Sequence, residues 1–324
     1  MKTETIEELA IGIQSGNRVS LSRAITLAES ALPEHQKLAH ELIQRLLPNT
    51  GNSKRIAITG VPGVGKSTFI ESFGKLLTDK GLKVAVLAID PSSSLSGGSI
   101  LGDKTRMEDL ARNPNAYIRP SASGGFLGGI ASRTYEAMLL CEAAGFEVIL
   151  IETVGVGQSE TLVNDITDLF LFLQIPGAGD DLQGIKRGIM EMADILFINK
   201  VDDFGIDKAK EVKVTLARSL QFLPQKDSFW KRKVLVGSGL SGKGLEETWE
   251  TIEEYFHLIE SNDYLSNHRK EQELIRIKEY IKEIISLRAM TLYKDNKFVK
   301  EINEKVDPYF VAENWVKENL TINQ

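Results

Sequence analysis

The feature that most restricts the fold of this 324-residue chain is a glycine-rich word between a predicted strand and a predicted helix. The word, G-V-P-G-V-G-K-S, occupies residues 60–67, after an apolar run at residues 55–59 and before an amphipathic stretch. Glycines let the backbone adopt turns that side chains forbid, so that successive N–H groups can surround phosphates at the start of a helix. The word therefore predicts a phosphate-binding loop in an α/β fold.

Two side chains of this loop are expected to contact the phosphates and their metal ion. Lys66 can reach the β- and γ-phosphates as a point charge, and Ser67 can offer its hydroxyl to a bridging Mg²⁺. A chance glycine-rich turn is the alternative, but it would rarely carry all eight positions between a strand and a helix. The predicted nucleotide contacts of the loop are Gly63, Val64, Gly65, Lys66, Ser67 and Thr68.

A four-residue word, N-K-V-D at residues 199–202, follows another apolar run that is typical of a buried strand. Asp202 can accept hydrogen bonds from the guanine N1–H and exocyclic amine, whereas adenine presents an acceptor at N1 and would leave the carboxylate unpaired. Asn199 is expected to bond guanine N7, and the stem of Lys200 to lie along the base. Four-residue words recur by chance, but a position downstream of a phosphate loop favours a guanine-binding loop.

A glycine-rich segment at residues 236–244 is similar to loops that touch guanine through backbone groups, here near Ser238 and Gly239. With N-K-V-D, it indicates that the nucleotide is GTP or GDP.

The fold class predicted from the pattern is α/β: a P-loop NTPase with a mostly parallel, doubly wound sheet. Short, nearly continuous apolar segments alternate with helical ones, which is typical of parallel strands covered on both faces. The predicted strands are residues 56–59, 84–89, 116–119, 147–152, 168–173, 195–199 and 234–238. The predicted domains are an N-terminal helical segment (1–50), the nucleotide domain (51–258) and a C-terminal helical arm (259–324).

The two ends of the chain are predicted to be helical. Apolar residues at helical spacing indicate helices at 6–13 and 20–32, with Ser20 as the N-cap of the second. A long charged helix is predicted at 267–292 and a short piece at 298–306. The long helix carries the apolar stripe Leu274, Ile277, Ile281, Ile284 and Leu287. Such a stripe packs either on its own domain or on a second copy of the chain, and the sequence slightly favours the second copy.

Bulk properties exclude several classes of protein. The formal net charge of −6, without a sustained basic stripe, argues against a nucleic-acid partner. The single cysteine, Cys141, excludes an intrachain disulfide, and the four histidines form no metal-ligand spacing. The first residues do not resemble a signal peptide, and the apolar runs are too short to span a membrane. The simplest expected location is the cytoplasm.

Carboxylates at predicted strand tips complete the candidate site. Asp90 and Glu152 each follow an apolar strand and are expected to hold Mg²⁺ directly or through water, although a helix N-cap or turn is the alternative. The backbone N–H of Gly155 could sense the γ-phosphate.

Two polar loops are candidates for segments that respond to the nucleotide. In the loop at 96–107, Asp103 could orient the attacking water, and Lys104 and Arg106 could neutralise developing charge; an ordinary solvated loop is equally compatible. The loop at 176–186 is rich in glycine and charge. Apart from Gln158, no glutamine occupies the position at which Ras-like GTPases carry one in their switch segment. We therefore expect slow intrinsic hydrolysis of GTP.

Taken together, the chain resembles the MeaB/ArgK group of GTPases, once described as lysine/arginine/ornithine transport ATPases. The resemblance rests on the phosphate loop, N-K-V-D and four further words between them. These are A-I-D-P-S-S, G-D-K-T-R-M, I-E-T-V-G-V-G-Q-S-E and P-G-A-G-D-D-L-Q-G-I-K-R-G-I-M-E. It implies a GTP-hydrolysing chaperone of an adenosylcobalamin-dependent acyl-CoA mutase, chiefly methylmalonyl-CoA mutase, that couples hydrolysis to cofactor loading and to protection or reactivation of the mutase.

The resemblance also implies roles for particular residues. Lys66, Asp103, Glu152 and Lys186 would be catalytic, and Mg²⁺ would be held by Ser67, Asp90, Asp103 and Glu152. The segment at 176–186 would couple the nucleotide to the mutase, and the C-terminal helices would form a homodimer. An ATP-dependent kinase or transport-linked ATPase is the alternative, which N-K-V-D disfavours. A metal-delivery GTPase is disfavoured by the lack of a Cys/His cluster.

Overall fold

The computed structural model describes residues 5–90, 107–122, 127–153, 160–176, 187–292 and 307–319. The chain divides into two compact units, Met1–Gln272 and Glu273–Gln324. The three-part division expected from the sequence stays a prediction.

A seven-stranded sheet forms the centre of the first unit in the described residues, with the strand order β3-β2-β4-β1-β5-β6-β7. All of its neighbouring strands are parallel. The strands are β1 Lys54–Gly60, β2 Val84–Asp90, β3 Ala116–Ala122, β4 Val148–Glu152, β5 Leu169–Gln174, β6 Ile195–Ile198 and β7 Lys233–Val236. The predicted α/β class is confirmed, and each of the seven apolar segments forms a strand.

Helices connect and flank these strands. Three precede the sheet: α1 Ile6–Gln14, α2 Arg18–Glu29 and α3 Pro33–Leu46, followed by a 3₁₀ turn at Leu47–Asn49. Those between strands are α4 Lys66–Asp79, α5 Glu108–Arg112, α6 Leu127–Ala143, α7 Glu160–Asn164, α8 Arg187–Met192, α9 Val201–Phe204 and α10 Ile206–Leu220. Three follow the sheet: α11 Leu245–Ser261, α12 Tyr264–Leu292 and α13 Pro308–Asn319.

Strand β5 shows why the sheet is covered on both faces. Leu169 and Leu171 belong to one buried cluster, to which α4, α5 and α11 contribute, whereas Phe170 and Phe172 belong to another, to which α1, α2, α3, α6 and α10 contribute. Successive side chains of a strand point to opposite faces, so a continuous apolar run must be buried on both. The continuous run L-F-L-F-L therefore specifies a central strand.

Partly buried ion pairs fix the edge of the sheet at which β5 and β6 begin, here called the amino edge. The Asp168 carboxylate accepts a hydrogen bond from the backbone N–H of Arg55 at 3.0 Å and from Arg269 Nε at 2.8 Å. Asp194 repeats this arrangement one strand further: its carboxylate accepts from the N–H of Phe170 at 2.8 Å and from Lys226 Nζ at 2.6 Å. Each aspartate thus aligns a neighbouring strand while a basic side chain neutralises it.

Two predicted helix starts are wrong. Helix α2 is capped by Asn17, whose side chain accepts from the N–H groups of Val19 and Ser20, so Ser20 is not the N-cap but a buried residue of the first turn. Asparagine and serine are about equally good N-cap residues, so the sequence alone did not distinguish Asn17 from Ser20. Helix α12 begins at Tyr264, three residues before the predicted start.

The apolar stripe of α12 is exposed, with 42–63% of each of its side chains accessible. The predicted helical piece at 298–306 lies outside the described residues. Within the described part of the chain, no helix combines the length and the apolar character that a membrane span requires.

Candidate functional site

The phosphate loop connects the carboxyl end of β1 to the first turn of α4. Gly63 and Gly65 have φ angles of +77° and +90°, a left-handed region that favours glycine. A Cβ on Gly65 would also lie 3.1 Å from the Asn199 amide nitrogen. Helix α4 begins at Lys66, directly after these glycines, so its N-terminus is available to an anion.

Two predicted phosphate and metal residues meet at the start of α4. Ser67 Oγ donates a hydrogen bond to Glu152 Oε1 at 3.1 Å, which joins the first turn of α4 to the carboxyl end of β4. Lys66 Nζ donates to the carbonyl of Gly60 at 2.9 Å. Burial lowers the pKa of Lys66, and the nearby Glu152 carboxylate partly opposes that shift. A bound phosphate would supply the negative charge that stabilises this ammonium group.

The oxygen atoms of Ser67 and Glu152 fit a magnesium ion better than a transition metal. Mg²⁺ prefers hard oxygen ligands and is usually held by one or two protein groups together with water and substrate phosphates. In the described ranges, no group of three or more His, Cys, Asp or Glu side chains converges on one point. A metal at this position would therefore depend on nucleotide phosphates for much of its coordination.

The two predicted guanine-binding segments are joined to the phosphate loop through the side-chain amide of Asn199. Asn199 Nδ2 donates to the carbonyl of Val64 at 2.9 Å, and its Oδ1 accepts from the N–H of Gly239 at 2.7 Å. The sequence predicted only a contact of Asn199 with guanine N7. One N–H of the amide is bonded to Val64, and the other would donate to N7. Lys200 follows with φ +61°, a left-handed turn that ends the strand.

Asp202 lies at the surface, where a base can reach it. Hydrogen bonds from the side chains of Ser238 and Ser241 lower the pKa of Asp202. Ser238 is itself fixed, because its Oγ accepts from the N–H of Leu240 at 3.1 Å. The carboxylate is thus kept ionised, as acceptance of two guanine N–H groups requires.

Gly239 packs against the backbone of α4. A Cβ at this position would lie 2.8 Å from Phe69 Cα and 3.0 Å from Phe69 N. Because the obstacle is backbone, a methyl group could fit only if the guanine loop or α4 moved.

The structure brings together Val64, Gly65, Lys66, Ser67, Glu152, Asn199 and Gly239. Thr68 is exposed in the first turn of α4. Asp90 ends β2, in register with Ala122 of β3, but its side chain is not described. Asp103, Gly155 and Lys186 lie outside the described residues, so their roles stay predictions.

Sequence reasoning missed two polar residues beside the site. Gln174, which ends β5, is buried, and its backbone carbonyl accepts a hydrogen bond from the N–H of Asn199 at 2.7 Å. A glutamine closing the run L-F-L-F-L was the available signal. Ser72, on the second turn of α4, donates to the carbonyl of Gly239 at 2.5 Å. No local pattern distinguishes this serine from any other in a helix.

The parallel sheet and the glycine-rich loop at the start of α4 define a P-loop NTPase. The family model of the methylmalonyl-CoA mutase-associated GTPase MeaB matches residues 21–293. The chain belongs to this family and is a GTPase, which converts GTP and water to GDP and phosphate.

Individual relatives agree with this family. GTPase ArgK of Escherichia coli is 48% identical over 268 residues, which cover 83% of this chain and 81% of the relative. The mitochondrial methylmalonic aciduria type A homolog of Mus musculus is 45% identical over 288 residues, covering 86% and 69%. A solved structure described as an LAO/AO transport system kinase superposes with a TM-score of 0.77 at 35% identity and covers 99% of both chains. The resemblance stated from the motifs is confirmed.

Proposed function

We propose that this GTPase is a chaperone of an adenosylcobalamin-dependent acyl-CoA mutase, with methylmalonyl-CoA mutase as the first candidate. GTP hydrolysis would be coupled to cofactor loading and to protection or reactivation of the mutase. The observation that carries the proposal is the match, over residues 21–293, to a family described as associated with that mutase. The name of the murine relative, which refers to methylmalonic aciduria, agrees with it.

The described residues suggest how hydrolysis would proceed. Lys66 would neutralise charge that develops on the β- and γ-phosphates, and the N–H groups after Gly63 would hold them in place. Ser67 and Glu152, and Asp90 at the neighbouring strand tip, would hold a Mg²⁺ ion. That ion would supply further neutralisation of the phosphates. Asp202 would fix the guanine base and thereby hold the triphosphate in one position relative to Lys66.

Three residues outside the described ranges complete the proposed mechanism. Asp103 would orient the attacking water and contribute to the Mg²⁺ site. The N–H of Gly155 would contact the γ-phosphate. Lys186 would belong to the segment that couples the nucleotide to the mutase.

The alternative is an ATP-dependent kinase or a transport-linked ATPase, as the description of the superposed structure would suggest. Asp202 opposes this alternative, because its pKa is lowered and an ionised carboxylate cannot donate to adenine N1. Equilibrium binding of GDP and ADP distinguishes the two. Tighter binding of ADP would contradict the proposed function.

We also propose that the chain acts as a homodimer through the exposed stripe of α12. Leu274, Ile277, Ile281 and Ile284 recur at intervals of three and four residues and are 51–63% exposed. A second copy of the same stripe would bury them as a two-helix seam. Ile281→Glu should yield a monomer in sedimentation equilibrium, whereas Glu283→Gln, on the same helix, should not.

The decisive experiment loads adenosylcobalamin into purified apo-mutase in the presence of this chain. GTP should accelerate loading, and Lys66→Ala should abolish that acceleration. Asp202→Asn should lose activity with GTP and regain it with XTP, because the asparagine amide can donate a hydrogen bond to the base where the carboxylate only accepts.

Equal loading with and without GTP would overturn the chaperone proposal. A variant Asp202→Asn that still prefers GTP would instead contradict the assignment of the guanine site. The two failures are therefore distinguishable.

A further inference from the structure

We infer that Ser72 is a positioning residue for guanine: its hydroxyl holds the Gly239 peptide on helix α4 and thereby slows the release of GDP. The inference rests on the guanine-binding role proposed for the loop around Gly239. It adds a residue that lies on the phosphate-loop helix and belongs to none of the nucleotide-binding words.

Both backbone polar groups of Gly239 are hydrogen-bonded. Its N–H donates to Asn199 Oδ1 at 2.7 Å, and its carbonyl accepts from Ser72 Oγ at 2.5 Å. Its Cα packs so closely on α4 that an added Cβ would lie 2.8 Å from Phe69 Cα. The loop has no room to approach α4 further, and it can leave only by breaking these two hydrogen bonds.

Helix α4 connects this contact to the phosphates. The helix begins at Lys66, and Ser72 lies less than two turns further along it. Asn199 completes the connection from the other side, because its Nδ2 is bonded to Val64 in the phosphate loop. The guanine loop is therefore attached to α4 through Ser72 and to the phosphate loop through Asn199, by two separate hydrogen bonds.

Release of the base requires movement of the guanine loop, whereas phosphate contacts depend on the first turn of α4. Removing the Ser72 hydroxyl frees the carbonyl of Gly239 but leaves the phosphate loop unchanged. A neutral hydrogen bond of this kind contributes a factor of about threefold to tenfold to an equilibrium or rate. The effect should appear at the base and not at the phosphates.

The test compares Ser72→Ala with the native chain in three measurements. The dissociation rate of a fluorescent GDP analogue should rise about threefold to tenfold. Competition by inorganic tripolyphosphate, which has no base, should be unchanged, and so should single-turnover hydrolysis at saturating GTP. Ser72→Thr, which keeps the hydroxyl, should restore slow dissociation.

The matched control is Ser219→Ala. Like Ser72, Ser219 is a helix residue whose hydroxyl donates to a backbone carbonyl, here that of Thr215 at 3.1 Å, but it lies on α10. It should leave all three measurements unchanged. Unchanged GDP dissociation in Ser72→Ala would overturn the inference, and so would an equal weakening of tripolyphosphate. If Asp202→Asn alters base preference while Ser72→Ala does nothing, the guanine site stands and only the role of Ser72 fails.

Discussion

The two edges of the parallel sheet carry similar charged side chains but partner them differently. At the amino edge, carboxylates are neutralised by basic side chains, as in Asp168 with Arg269 and Asp194 with Lys226. Their remaining oxygen lone pairs accept backbone N–H groups of neighbouring strands. These charges have protein partners of opposite sign and align neighbouring strands of the sheet.

At the carboxyl edge, two charged groups of the described residues hydrogen-bond to neutral partners that a ligand can replace or supplement. Lys66 donates to a backbone carbonyl, and hydroxyl groups hold the Asp202 carboxylate. The difference teaches that a charge at a strand end is not by itself a sign of function. Its partner distinguishes a structural charge from one that is ready for a substrate.

The largest effect that separates the two edges is expected for Lys66→Ala. Loss of this charge should lower GTP turnover by about 10³-fold or more, because it acts on charge that develops during phosphoryl transfer. Folding stability should change little, since burial lowers the pKa of Lys66 and the fold gains nothing from the charge. Phosphate release and urea unfolding measure the two quantities. Undiminished turnover would contradict the phosphate site.

The opposite result is expected at the amino edge for Glu142→Gln. Glu142 receives Arg55 Nε at 2.8 Å and Nη2 at 3.0 Å, and both side chains are buried. Breaking a buried pair leaves an uncompensated charge, so the free energy of unfolding should fall by about 3–5 kcal/mol. GDP affinity at temperatures where the variant is folded should not change.

The control for this variant is Glu41→Gln. It removes an exposed pair, Arg45 with Glu41 at 3.1 Å, and should cost about 0.5 kcal/mol or less. Equal losses for the two variants would show that the amino-edge pair contributes no more than a surface pair.

The parts of the molecule that the sequence predicted well are those encoded by neighbouring residues. A continuous apolar run such as L-F-L-F-L specifies a central strand, and the phosphate loop and N-K-V-D each fall in one short segment. The rest depends on contacts between distant positions. Arg269 and Asp168 are 101 residues apart, and Ser72 and Gly239 are 167 apart. No local pattern indicates such pairs, because their members lie in different elements and meet only when the chain has folded.

A smaller effect concerns Tyr117, near the start of β3. Burial raises the pKa of Tyr117 to about 12, and its hydroxyl lies 3.1 Å from Ser22 Oγ. The unfolded phenol loses its proton near pH 10. Between pH 10 and 12 the folded state therefore binds more protons than the unfolded state, so stability present below pH 10 is lost as the pH rises.

The loss from Tyr117 should reach about 2–3 kcal/mol by pH 12. Urea unfolding of the native chain and of Tyr117→Phe, at pH 8 and at pH 11, isolates this contribution from those of other tyrosines. The difference between the two proteins should shrink or reverse as the pH rises. A difference independent of pH would show that this phenol is not desolvated.

The smallest effect tests how far the amino-edge network controls the backbone. Asp194 anchors a turn at both ends, through the ion pair with Lys226 and through its carbonyl, which accepts from Trp230 Nε1 at 3.0 Å. Between these anchors Phe229 has φ +61°, and 66% of the residue is exposed. The anchors thus impose a left-handed conformation that bulky residues disfavour, with no burial of the ring to offset it.

Phe229→Gly should therefore be more stable than Phe229→Ala by about 1 kcal/mol, because only alanine retains a Cβ in the left-handed region. In the exposed part of α10 the order should reverse, with Glu211→Gly less stable than Glu211→Ala by about 1 kcal/mol. Thermal unfolding of the four variants gives both differences. If glycine and alanine are equally stable at position 229, the turn relaxes when the ring is removed. The ion pair of Asp194 would then hold the side chains of the amino edge without dictating the backbone between them.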